Sequence, residues 1–273
     1  MDYRQRKQLF IIISYFLFFS LIIFLVYYIW FRHIPTCNDG IKNQRETEID
    51  CGGPCSSCEI KTLKDVNIVW VKAFPIKQGI YDLAAYIDNL NPNYGSGNLS
   101  YEFFLYDASD NVIISKKGVT FILPGKPAYV IEPYITTQQS VSRVKLVLSQ
   151  PKWEKLEGFE QDLFFIKDKK YSLLDKSVGY SQVSGIVKNN SSFDFDRVNV
   201  DVIILNSQNQ PIGVNKTEIR TLVAGEERYF TSQWFTEIKG DVVSEEVMAE
   251  TNAFQNTNFM KRFGTPEKFK GID

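Results

Sequence analysis

The chain has 273 residues, with 31 basic and 32 acidic side chains, a formal net charge of -1 and an aromatic content of 14%. So even a balance gives no sign of the clustered basic face that nucleic-acid binding requires, and no nucleic-acid partner is expected.

In chain order, the first element is Leu9 to Phe31, LFIIISYFLFFSLIIFLVYYIWF, 23 residues without a charge. As a helix this run would measure about 34 Å, against a hydrocarbon core of about 30 Å. Residues 9–31 are therefore expected to be a transmembrane helix in contact with membrane lipid, after a cytoplasmic start at 1–8. Arg4, Arg6 and Lys7 resemble the leader of a signal peptide. The apolar run is longer than an h-region of about 7 to 15 residues, however, and Arg32-His33-Ile34-Pro35-Thr36 offers no small-x-small cleavage site, so the segment is read as an uncleaved signal anchor. Tyr27, Tyr28 and Trp30 suit an aromatic belt at the far interface. Basic residues near the two ends tie, Arg4, Arg6 and Lys7 against Arg32, Lys42 and Arg45, so charge alone does not orient the helix.

All four cysteines, Cys37, Cys51, Cys55 and Cys58, fall in the next segment, 32–62. Clustered directly after an export-type helix, with none beyond, they are read as two disulfides made outside the cytosol, which places the bulk of the chain extracytoplasmic in a single-pass cell-membrane protein. Spacing does not rank the three possible pairings. A four-cysteine zinc site would show two separated close pairs, whereas Cys37 stands alone. Cys55-Ser56-Ser57-Cys58 lacks the strand-then-helix setting of a redox pair.

Asp39, Asn43, Glu46 and Asp50 recur between the cysteines at intervals of four, three and four. Hard oxygen ligands in a disulfide frame would suit calcium, though not in an EF-hand loop; the alternative is that they form turns. No other cofactor is expected. The stretch resembles a cysteine motif of exported proteins, CxDGxxNxxExxxDCGGxCxxC, at Cys37, Asp39, Gly40, Asn43, Glu46, Asp50, Cys51, Gly52, Gly53, Cys55 and Cys58. The resemblance implies no activity. The expected role of this knob is to stiffen the chain where it leaves the bilayer.

From residue 63 the pattern becomes alternating. Leu99, Tyr101, Phe103 and Leu105, then Val198, Val200, Val202 and Ile204, recur at the two-residue period of half-buried strands. An internal repeat spaced by about 100 residues, on the scale of one sandwich domain, lays AAYIDNLN (84–91) over VSGIVKNNS (183–191), LYDASDNVI (105–113) over ILNSQNQPI (204–212) and LPGKPAYVIEPY (123–134) over VAGEERYFTSQW (223–234). Asn89 thus matches Asn189, and Gly125 matches Gly225. Each copy is expected to hold about seven strands in about 90 residues, the size of an immunoglobulin-like sandwich.

These residues resemble the FxLYD family of exported β-sandwich modules, with GIVKNNS giving the better start and YEFFLYDASDNVI the better hairpin. Leu205-Asn206 departs from the family's Tyr-Asp, and the glycine of its hairpin turn is absent from both copies. The resemblance implies an immunoglobulin-like fold, an envelope or surface setting and no catalytic residues.

The expected fold class is mainly β: one transmembrane helix followed by two tandem antiparallel β-sandwich domains, 63–150 and 163–254. A charged linker at 151–162 and a mobile tail at 255–273 complete the chain. The lone histidine, His33, lies at the membrane edge, so no Ser/His/Asp or Cys/His dyad is expected in the sandwiches. Adjacent acids such as Glu226-Glu227 and Glu245-Glu246 would point to opposite strand faces. No enzyme is expected. The role read from the sequence is a non-catalytic scaffold or protein-binding component of the cell envelope. A ligand-binding or sensing subunit of a membrane receptor complex is the alternative, for which the eight residues before the helix supply no output domain. Asn98, Asn189, Asn190 and Asn215 head N-x-Ser/Thr triplets.

Overall fold

The computed structural model describes residues 3–31, 35–158 and 162–264, which fall into two compact units, Met1–Thr62 and Leu63–Asp273. Residues 32–34 with His33, 159–161 of the expected linker and 265–273 of the expected tail lie outside the described residues.

In the first unit, helix α1 spans Tyr3–Phe31. It is apolar on every side from Leu9 to Trp30, with those side chains exposed, and is long and apolar enough to cross a membrane. The knob that follows is held by two disulfides, Cys37 to Cys55 and Cys51 to Cys58, and ends in a short 3-10 turn at Cys58–Thr62.

The second unit is built from antiparallel strands: β1 (Asn67–Lys77), β2 (Ile80–Asp88), β3 (Tyr94–Tyr106), β4 (Val112–Ile122), β5 (Pro127–Thr136), β6 (Arg143–Leu148), β7 (Glu154–Lys155), β8 (Phe164–Leu173), β9 (Ser181–Asn189), β10 (Phe195–Leu205), β11 (Pro211–Leu222), β12 (Glu227–Trp234) and β13 (Ser244–Glu250). In the first copy a sheet β1-β2-β5 packs on a sheet β4-β3-β6. In the second, β8-β9-β12 packs on β11-β10-β13, so the sequence repeat is reproduced strand for strand. The fold is mainly β, with two antiparallel sandwiches after one apolar helix. The alternating residues point where their period requires: Leu99, Tyr101, Phe103 and Leu105 fill one core, and Val198, Val200, Val202 and Ile204 the other.

Three expectations are corrected. Among the described residues each sandwich has six main strands rather than about seven, because the chain leaves the sheet after β6 at Pro151 and after β13 at Asn252. Residues 151–158 do not form a free linker: β7 pairs with the start of β3, and Leu156 is fully buried beside Gly264. The segment from 255 to 264, expected as part of the tail, is folded and packed on the second sandwich. Helix α2 (Thr257–Phe263) starts on the side chain of Asn256, which accepts from the backbone of Phe259, and seats Phe259 and Met260 in the second core.

That second core also takes in Phe121 and Leu123 from the end of the first sandwich. The outer face of β1-β2-β5 lies on the outer face of β11-β10-β13, where Phe74, Ala84, Tyr129 and Ile131 meet Ile203 and Val214. Lys216 reaches across this seam to donate from Nζ to the carbonyl of Ile131 at 2.7 Å. The two sandwiches therefore form one packed body.

Candidate functional site

In the knob, the four oxygen-bearing residues form one network. Asp50 accepts from the backbone of Asp39 at 2.9 Å and of Gly40 at 3.0 Å. Asp39 accepts from Thr36 and Ile41 through the backbone and from Asn43 Nδ2 at 2.8 Å. Buried Glu46 accepts from the backbone of Asn43 and Asp50. The structure thus brings Asp39, Asn43, Glu46 and Asp50 together, as fasteners that tie successive turns through carboxylate-to-backbone hydrogen bonds.

Gly52 and Gly53 are the bend that makes this possible. Both have positive φ, and a Cβ on Gly52 would lie 2.3 Å from Thr47 Oγ1, one on Gly53 2.5 Å from the carbonyl of Arg45. Two groups of potential metal ligands exist here, Cys37, Glu46, Cys55 and Glu48, Cys51, Cys58. In each, both sulfurs are consumed in a disulfide, so neither presents a thiolate. Asn43 Oδ1 is the exception in the network, buried without a hydrogen-bond partner.

In the second unit the seam opens at one end into a cleft of about 680 Å³ shared by the two sandwiches. Its floor is apolar, with Phe74 from β1 and Trp234 from β12, both nearly buried, joined by Pro75, Ile212 and Ile238. Trp234 is fixed there by its indole N–H, which donates to the carbonyl of Val214 at 3.2 Å. The rim carries Lys72, Asp82, Arg143 and Glu237. Asp82 accepts from the backbone of Tyr134 at 3.0 Å, and burial raises its pKa above the usual carboxylate range. Arg143 pairs with Asp110 and lies 3.9 Å from the centre of the Tyr106 ring, so this cation is held in place. An apolar trough with mixed charges along its edges suits an extended polypeptide: side chains enter the trough and polar groups meet the rim.

Sequence reasoning missed this cleft because it treated the outer strand faces as solvated. A signal was present. The outward positions of β10 are Asn199, Asp201, Ile203 and Leu205, and two large apolar residues on a nominally wet face mark a strand covered on both sides. Of the four N-x-Ser/Thr triplets, the structure separates exposed Asn98 and Asn190 from Asn189, which is fully buried, and from Asn215, whose amide donates to the carbonyl of Gln233.

No family model and no curated protein matches the chain. Among solved structures the chain is similar to one described as a crystal structure of the calcium binding domain CBD12 of CALX1.1, at 14% identity and a TM-score of 0.18, over 62% of this chain and 72% of that one. The sandwich assignment rests on the strand pairing above.

Proposed function

We propose that the chain is a single-pass, membrane-anchored protein whose sandwiches lie outside the cytosol and act, without catalysis, as a scaffold or protein-binding component of the cell envelope. The observation that carries the reading is the cleft of about 680 Å³ with an apolar floor and a charged rim, built jointly by two sandwiches packed face to face. The disulfides support the extracytoplasmic placement. The occupant is an extended segment of a partner protein.

A photo-crosslinking side chain at Thr236, in the cleft, is compared with one at Leu173, on an outer strand, in the full chain within its native membranes. A discrete adduct from Thr236 alone is expected. Equal adducts from both positions, or none from Thr236, would sink the proposal.

Calcium is a second, separate part of the reading. Buried Asn43 Oδ1 favours it, being an oxygen without a partner inside an acidic loop, and the residues that would hold the ion are Asp39, Asn43, Glu46 and Asp50. Calorimetry on the oxidised full chain tests it, and the absence of heat at millimolar calcium removes it.

A further inference from the structure

Two carboxylates lie inside the seam, Asp201 of β10 and Glu250 of β13, each only 8% exposed. Both sit on the face of β11-β10-β13 that meets the first sandwich, since the alternate residues Val200 and Val202 fill the core behind it. Strand pairing sets Asp201 between Lys216 and Met248, and sets Glu250 opposite Asn199, two residues along β10.

The groups that face this pair come from every element around it. From β11 comes Lys216, whose ammonium is drawn across the seam to the Ile131 carbonyl. Glu218 of β11 and Arg197 of β10 pair with each other at 2.9 Å. From the turn before β5 comes Lys126, which pairs with Asp162 at 3.3 Å. The first sandwich adds Tyr129 of β5 and Tyr86 and Asp88 of β2, while Lys72 of β1, between Trp70 and Phe74, lines the cleft. Tyr129 bonds to Glu246 of β13, a third acid at the same face. Lys216 acts on Asp201 and Lys126 on Glu250, but each lysine is shared with another acceptor, the Ile131 carbonyl and Asp162, so neither carboxylate has a cation to itself, and two ionised carboxylates in such a place need water.

We infer that the seam is a proton-operated joint: with Asp201 and Glu250 protonated the two sheet faces lock together, and when both ionise the faces part far enough to hydrate them. Burial pushes the Asp201 carboxyl up to about 7, with Lys216 opposing. Burial first, and the charge of Asp201 second, push Glu250 up to about 8, with Lys126 opposing. The packed state then binds more protons than the parted state between the ordinary carboxylate range and these values, so the joint is firm in mild acid and loosens as pH rises through them. Because the cleft is lined by both sandwiches, its width follows the joint. The inference rests on the seam alone and needs no partner.

The test uses the full chain in lipid nanodiscs, with spin labels attached through non-natural side chains at exposed Val112 and Leu173, one on each sandwich, leaving the cysteines untouched. Distances are measured at about pH 5.5 and about pH 9, on either side of the transition. The expected result is one narrow distribution at the lower pH, and a longer, broader one at the higher. In the Asp201→Asn/Glu250→Gln variant, which keeps the neutral shape, the narrow distribution is expected at both. An unchanged wild-type distribution, or a variant that broadens as the wild type does, overturns the inference. Circular dichroism of each sample at both pH values separates parting of the seam from unfolding, and strand signal lost together with the longer distance also counts against it.

Discussion

Asn89 and Asn189 occupy equivalent places in the two copies and do the same work. Asn189 Nδ2 lies within bonding distance of the carbonyls of Phe193 (2.7 Å), Leu222 (3.2 Å) and Val223 (3.1 Å), while its Oδ1 accepts from the backbone and hydroxyl of Ser191. Asn89 bonds likewise to Tyr94 and Leu123, and accepts from Asn91. One amide therefore ties the loop after the second strand to the corner before the fifth. In Asn189→Ala the Leu222 carbonyl loses its donor in the interior, and those of Phe193 and Val223 lose one at its edge, so a loss of about 2 kcal/mol is expected, from an unsatisfied-group cost of about 1–3 kcal/mol with partial relaxation. Asn189→Asp should do no better, because a carboxylate presents acceptors to those carbonyls. Denaturant midpoints measure both, and a variant as stable as the parent would show that the amide is dispensable. The repeat made this pair visible in the sequence, since Asn89 falls over Asn189. The missing turn glycine is explained by Asp110 and Asn209, which adopt the left-handed conformation there with φ of 64° and 59°. Asp and Asn tolerate it better than other side chains.

At the level of elements, the long strands were readable and the short pieces were not. A period of two declares itself over the 13 residues of β3, but helix α2 has seven residues, fewer than two helical turns carry, so its apolar face does not stand out. Its weight in the fold comes from contacts that no local pattern encodes. Phe259 meets Phe193 at 5.1 Å and Phe263 at 4.8 Å between ring centres, and is fully buried. Phe259→Ala is expected to cost about 3–5 kcal/mol as a large-to-small core change. A thermal melt checks it, and a negligible shift would mean that α2 is peripheral. The knob shows the same division. Its four cysteines were identifiable as disulfides, but their pairing depends on the Gly52-Gly53 bend and the carboxylate fasteners. Partial reduction and alkylation should recover Cys37 joined to Cys55 and Cys51 joined to Cys58. Removing the first should cost slightly more than removing the second, about 3 against about 2.5 kcal/mol, because it closes the longer loop. Equal or reversed losses would argue against the loop-entropy account.

For the whole molecule, the number of sandwiches followed from the repeat, but their stacking did not, because each copy read alone has a wet face. Stacking turns Asp201, an ordinary outward residue by period, into a buried acid, and with it makes global stability depend on pH. An unfolded carboxyl binds its proton with a pKa near 4, while Asp201 and Glu250 in the packed molecule hold theirs up to about 7 and about 8. The folded state binds the extra protons between those limits, so stability is greatest in mild acid and falls as pH rises. Even a tenfold difference in proton affinity at each residue amounts to about 3 kcal/mol in sum. The denaturant midpoint is therefore expected to drop from about pH 5 to about pH 8 and then level off, once both groups are charged in either state. Asp201→Asn/Glu250→Gln should flatten the curve and raise it at the alkaline end. A wild-type midpoint that climbs over this range, or a double variant that keeps the slope, would mean that the seam tolerates both charges and that stacking is held by its apolar contacts alone.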